Sequence, residues 1–273
     1  MERRVWAIYF SATGTTEKVV KTIARELGNM IGAQVNEINY TLPHQRQKEY
    51  EFNENDIVIF GSPVYAGRIP NILLPFLNSG FRGNGALAVP IVMFGNRNYD
   101  DALIELRNIL EKDGFCIIAA GAFVGEHSFS KILASGRPDF KDLKLAYNFA
   151  DKIAEKLMMY NNDFKIPVEV SGEEPIRTYY KPRDRKGVFI NILKVKPKTN
   201  EKCINCGLCS KICPMGSIDK DDPSKVDGIC IKCGACIKKC PAEAKYYDDF
   251  GYLYHKHELE EEYSMRKEPE MFL

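Results

Sequence analysis

Two runs of four cysteines constrain this chain more than anything else in it. Cys203, Cys206, Cys209 and Cys213 stand before Pro214, and Cys230, Cys233, Cys236 and Cys240 stand before Pro241. Both read C-x2-C-x2-C-x3-C-P, and together they use eight of the nine cysteines. Thiolates at three-residue steps wrap one corner of a cube in a single tight turn, and this run is a ligand pattern for [4Fe–4S] clusters. Gly207 and Gly234 let the backbone approach the sulfides, having no Cβ. Pro214 and Pro241 fix φ just after the last cysteine of each run. A disulfide framework would need an oxidising compartment, which nothing in the sequence suggests. Zinc sites usually space two C-x2-C pairs across a long gap, which is not the pattern here. The ninth cysteine, Cys116, sits in the apolar run 115–120 and reads as a buried strand residue.

The paired runs resemble the two-cluster ferredoxins of bacteria. That resemblance implies an exchange in which the fourth cysteine of each run ligates the other run's cluster. Cluster one would use Cys203, Cys206, Cys209 and Cys240, and cluster two Cys230, Cys233, Cys236 and Cys213. A complete all-cysteine set leaves no open iron for substrate.

The rest of the chain is long enough for one further domain of ordinary size. Lys and Arg number 38 against 37 Asp and Glu, so no global charge draws the chain to nucleic acid or to a membrane surface. No apolar run reaches bilayer length, and no signal-peptide pattern opens the chain. These features lead us to expect no membrane insertion and a reducing cytoplasm. Residues 4 to about 160 alternate strand and helix patterns. Strands are expected at 4–10, 33–38, 56–61, 86–94 and 115–124, and helices at 15–31, 70–77, 100–112 and 139–159. Five strands with helices between them argue a doubly wound α/β fold on a parallel sheet.

The first strand-to-helix turn reads Ser11-Ala12-Thr13-Gly14-Thr15-Thr16. Hydroxyls and backbone N–H groups at a helix N-terminus make an anion site. The turn lacks the lysine of a P-loop and the G-x-G-x-x-G of a dinucleotide fingerprint. What remains is a neutral cradle for a phosphate monoester. It resembles the phosphate loop of flavodoxins, with Thr15 where asparagine is usual, and that implies FMN. Two more loops leave strand ends, where such sheets bind ligands. Ser62-Pro63-Val64-Tyr65-Ala66-Gly67 and Gly95-Asn96-Arg97-Asn98-Tyr99 resemble the flavodoxin loops that sandwich the isoalloxazine ring. The resemblance implies that Tyr65 and Tyr99 stack on or border the ring, that the peptide near Ala66-Gly67 meets N5, and that Asn96 or Asn98 meets the pyrimidine edge. Each tyrosine also reads as ordinary packing.

The whole chain resembles the flavodoxin–ferredoxin fusion proteins of anaerobic bacteria and archaea. The expected organisation is a flavodoxin-like five-stranded domain at 1–160, a connector at 161–197, a small α+β two-[4Fe–4S] ferredoxin domain at 198–245 and a tail at 246–273. A turn is expected at Asn161-Asn162-Asp163 and a break at Glu173-Glu174-Pro175. The connector is rich in lysine and arginine, which reads as a solvated linker or as a surface that steers an acidic redox partner of the ferredoxin or reductase type. The tail reads equally as packing back on the first domain or as a contact in a homodimer. His127, after the fifth strand, would lie near the flavin, as a loop-packing residue or as a proton donor to a substrate. The function expected is electron transfer between FMN and the two clusters. The alternatives are a ferredoxin-fed flavin reductase acting on an organic substrate, and a redox sensor or a subunit of a larger complex.

Overall fold

The computed structural model describes residues 3–159 and 167–273, so the expected turn at 161–163 lies outside the described residues. Five parallel strands form the body of a seven-stranded sheet: β1 (Arg4–Tyr9), β2 (Gln34–Asn39), β3 (Asp56–Pro63), β4 (Leu87–Phe94) and β5 (Ala120–Val124). Three helices flank them: α1 (Thr15–Ile31), α2 (Ala102–Lys112) and α3 (Phe140–Met159). The cysteine-rich segment follows, then a helix α4 (Phe250–Glu262) and a strand β6 (Glu270–Phe272). The sheet order is β2-β1-β3-β4-β5-β6. The first five are parallel, and β6 pairs antiparallel to β5 through Met271↔Gly121.

Strands buried on both faces read as continuous apolar runs, and here alternate residues feed two cores. Ile8, Phe10, Val58, Phe60, Val92 and Phe94 point to the side of α2. Val5, Ala7, Tyr9, Ile57, Ile59 and Ile91 point to the side of α1 and α3. Gly61 lets α1 lie close on β3: a Cβ there would meet Val20 at 2.4 Å. At the opposite end of the sheet, buried Asp56 takes both nitrogen arms of Arg4 at 2.8 and 2.9 Å and the Trp6 indole N–H at 2.7 Å. That network fixes the register of β1 against β3.

Most expected elements are present, with shifts at their ends. The 115–124 run divides into a short pair, Cys116–Ile117, and β5. The expected helix at 70–77 is a 3-10 turn, Asn71–Leu73, running into a single helical turn, Leu74–Leu77. The tail packs back on the first domain, as α4 and β6.

Candidate functional site

Order reverses between β1 and β3, and in doubly wound sheets ligands bind at that switch point, beyond the carboxyl ends of the strands. A crevice of about 470 Å³ lies there. Ala12, Thr13, Thr15 and Thr16 from the first turn form one wall. Pro63, Val64 and Tyr65 form a second, and Gly95 and His127 a third. Gly14 stands at the N-cap of α1 with φ 102° and brings no side chain to that end of the helix. Its first N–H groups and the threonine hydroxyls thus fit a phosphate. Ser11 is tied into the loop: its hydroxyl oxygen accepts the Glu17 N–H at 3.0 Å.

The second loop is a tight turn closed by reciprocal bonds between Tyr65 and Arg68 at 2.9 and 3.2 Å. Ala66 and Gly67 both take positive φ, 53° and 77°. A Cβ at Gly67 would meet the Asp100 carboxylate. The Ala66 carbonyl accepts the Tyr180 N–H at 2.8 Å, so the connector lies along this turn. Ser62 is buried and donates to the Pro63 carbonyl at 3.2 Å.

The third loop differs from expectation at Asn96, Asn98 and Tyr99. Asn96 is buried, donates to the Tyr263 and Met265 carbonyls at 2.6 and 2.8 Å, and accepts the Lys267 N–H at 3.2 Å. The C-terminal segment therefore consumes the amide expected at the pyrimidine edge. Tyr99 is buried beside Phe94 and donates to Glu270 of β6 at 2.7 Å, so its ring is core. Asn98 accepts the Asp100 N–H at 3.1 Å within its own turn. None of the three lines the crevice, whereas Gly95 does.

His127 packs so closely that a Cβ at Gly95 would meet its ring at 2.4 Å. Its Nδ1 accepts the Phe129 N–H at 3.1 Å, which leaves the proton of the neutral ring on Nε2. Burial, and then the charge of Lys238, hold its pKa down at about 3. It is a neutral imidazole at pH 7 and holds no acidic proton to give.

The eight cysteines ring two cavities. Cys203, Cys206, Cys209 and Cys240 line one of about 380 Å³, which Cys236 also borders, and Cys213, Cys230, Cys233 and Cys236 line a second of about 370 Å³. The structure thus brings together the two sets that the ferredoxin resemblance implied. The halves repeat one backbone design. Positive φ occurs at Asn205, Gly207 and Gly216 in the first, and at Lys232, Gly234 and Glu243 in the second. The Ser217 N–H reaches Cys213 Sγ at 3.4 Å, and the Ala244 N–H reaches Cys240 Sγ at 3.3 Å. Burial pushes the Cys233 thiol up to about 12, and Cys236 is raised for the same cause. Such buried thiols ionise readily only against a bound cation, which the iron of a cluster would supply.

Cys233 lines the crevice as well as the second cluster cavity. Several contacts hold it there. Lys238 reaches the Glu126 carboxylate, the His127 carbonyl at 2.7 Å and the Ser130 carbonyl at 2.9 Å. Arg46 donates to the Pro214 carbonyl at 2.6 Å. Gly234 lies so close to the 125–130 loop that a Cβ would meet the Ser128 carbonyl at 2.4 Å. Lys238 and the double role of Cys233 had no sequence signal. The intervening positions of a C-x3-C segment are free, and Lys211 stands where Lys238 does in the other half.

Residues 7–95 match the flavodoxin domain family. Residues 202–244 match the 4Fe-4S dicluster domain family. The chain therefore carries a flavodoxin-type domain followed by a 4Fe-4S dicluster domain, an order consistent with a fusion of the two. The first domain implies FMN and the second iron–sulfur clusters, and the walls just described fit both. Similar solved structures include a flavodoxin from the domain Archaea, at 15% identity and TM-score 0.42 over 57% of this chain and 99% of that one. Another is rubredoxin oxygen:oxidoreductase from Desulfovibrio gigas, at 19% identity and TM-score 0.41 over 57% of this chain and 37% of that one. Two-electron reduced flavodoxin from Megasphaera elsdenii shows 17% identity and TM-score 0.37 over 54% and 98%. No curated protein matches this chain.

Proposed function

We propose that this chain relays electrons within one molecule, between FMN in the crevice and two [4Fe–4S] clusters, and exchanges them with soluble redox partner proteins of the ferredoxin or reductase type. FMN handles electrons singly or in pairs and each cubane handles one, so the pair of domains joins two-electron to one-electron traffic. The observation that carries this reading is Cys233, which borders both the crevice and the second cluster cavity. The other residues orient and enclose. Thr13, Thr15 and Thr16 with the start of α1 would hold the phosphate, and Pro63, Val64, Tyr65 and Gly95 would bound the ring. Cys203, Cys206, Cys209 and Cys240 would hold the first cluster, and Cys213, Cys230, Cys233 and Cys236 the second. The partner's side is the first cluster, where Cys206 and Ile204 are exposed. The connector's charge supports steering less well. Arg177 is paired with Asp101 and Arg185 with Glu261. The neutral His127 gives no support to a substrate-reducing role that needs its proton.

The relay is tested by anaerobic reduction of the cofactor-replete protein with a reduced ferredoxin, followed by visible absorbance. Cluster bleaching followed by flavin bleaching is expected, with the flavin phase lost in Cys233→Ala and iron content reduced in that variant. A flavin that is reduced equally fast in Cys233→Ala overturns the reading.

A further inference from the structure

The two cluster cavities share a repeated backbone, and they differ in the side chain that meets the first cysteine's sulfur in each half. The backbone donors are matched, at Ser217 for Cys213 and at Ala244 for Cys240. The Tyr247 hydroxyl lies 3.5 Å from Cys230 Sγ, and Tyr247 lines the second cavity. The corresponding position of the first half is Lys220, which is exposed and does not line the first cavity. There Cys203 faces Asn205 Oδ1 at 3.6 Å, an oxygen that has no proton to offer a thiolate.

Tyr247 is also held in place. It is buried, and its ring packs on Tyr252 of α4 with centroids 4.2 Å apart. Tyr252 in turn packs on Phe129 of the crevice loop at 4.8 Å. The hydroxyl is thus aimed by the same helix that buttresses the flavin side. A phenol O–H that donates to a ligating sulfur stabilises the more negative, reduced cluster over the oxidised one, which raises the reduction potential.

We propose that Tyr247 is a tuning residue: its hydroxyl donates to the Cys230 thiolate and raises the potential of the second cluster alone, so that an electron shared by the pair is biased toward the crevice. The proposal rests on the reading of Cys213, Cys230, Cys233 and Cys236 as one cluster's ligands.

The test is an anaerobic redox titration of full-length, cofactor-replete wild type and Tyr247→Phe, followed by EPR. The second cluster's signal is the one that survives in Cys206→Ala. In Tyr247→Phe, iron content should be unchanged, the second cluster's midpoint should move negative and the first cluster's should stay. No shift, or equal shifts of both, overturns the proposal. If Tyr247→Phe loses iron, site-specific 3-fluorotyrosine at 247 keeps the ring and strengthens the donor. The same midpoint should then move positive, and an unmoved midpoint overturns the proposal. Full iron content in Cys230→Ala would instead overturn the ligand reading beneath it, so the two failures are distinguishable.

Discussion

At Gly234 the cluster module and the flavin loop meet backbone to backbone. Its φ of 75° is left-handed, and the Ser128 carbonyl occupies the place of a side chain. Gly207 has nearly the same φ, 68°, but open space around it. The two substitutions to alanine therefore separate conformational strain from steric undocking. Gly207→Ala should cost about 1–2 kcal/mol. Gly234→Ala should cost more in anaerobic denaturant unfolding and should alone slow electron transfer from clusters to flavin. Equal effects would mean that the close approach does not matter. His127 leaves a different signature. Folded, it takes a proton only at about pH 3, and unfolded at about 6.5. The unfolded chain binds more protons between those values, so stability is complete above about pH 6.5 and falls as pH drops toward 3. His127→Gln should flatten this slope by up to about 1.4 kcal/mol per pH unit, the value for one proton. An unchanged slope in unfolding measurements across that window would show that His127 is not buried neutral.

Helix α4 and strand β6 reach the flavin side from the far end of the chain. Asn96 makes three bonds with residues 263–267, donating two and accepting one, and Tyr99 donates one to Glu270. Deleting residues 263–273 should cost about 2–4 kcal/mol, at roughly 1 kcal/mol for each lost hydrogen bond. It should also speed FMN loss, measured as recovery of flavin fluorescence on dilution. Unchanged stability would show that the strap is ornamental. The five parallel strands and helices α1 to α3 were legible because each buries a continuous or 3.6-periodic apolar run, as Val19, Val20, Ile23 and Leu27 do on α1. Helix α4 was not, because the residues it buries are Tyr252, His255, Glu258 and Leu259, so no apolar stripe marks its face. Strand β6 spans only Glu270–Phe272, too short for any periodicity. The same blindness explains Asn96 and Tyr99. Their loop was placed correctly, but the groups that turn them away from the crevice lie far along the chain. The crevice residues contributed by the first two loops were legible because a turn after a strand defines them locally.

Three charge-assisted or carbonyl contacts of one lysine hold the cluster module to the flavin loop. Lys238 is largely buried, and removing its ammonium leaves the Glu126 carboxylate without its counter-charge. Lys238→Met should weaken docking by about 2–3 kcal/mol. That is roughly a 30- to 150-fold rise in the undocked population. Iron and flavin contents should hold while cluster-to-flavin transfer slows and hydrogen exchange in the 125–130 loop rises; unaltered exchange would count against docking through Lys238. The path of the chain adds a constraint that its family matches conceal. After α3 it leaves the sheet, builds both cluster cavities, returns through α4 and lays β6 along β5. The flavin half by itself lacks that return, and the edge of β5 stands bare, ready to pair with another copy. The two halves are thus poor building blocks for exchange or grafting. Expressed alone, residues 1–160 should self-associate in sedimentation, because the strand that seals their sheet is encoded on the far side of the iron.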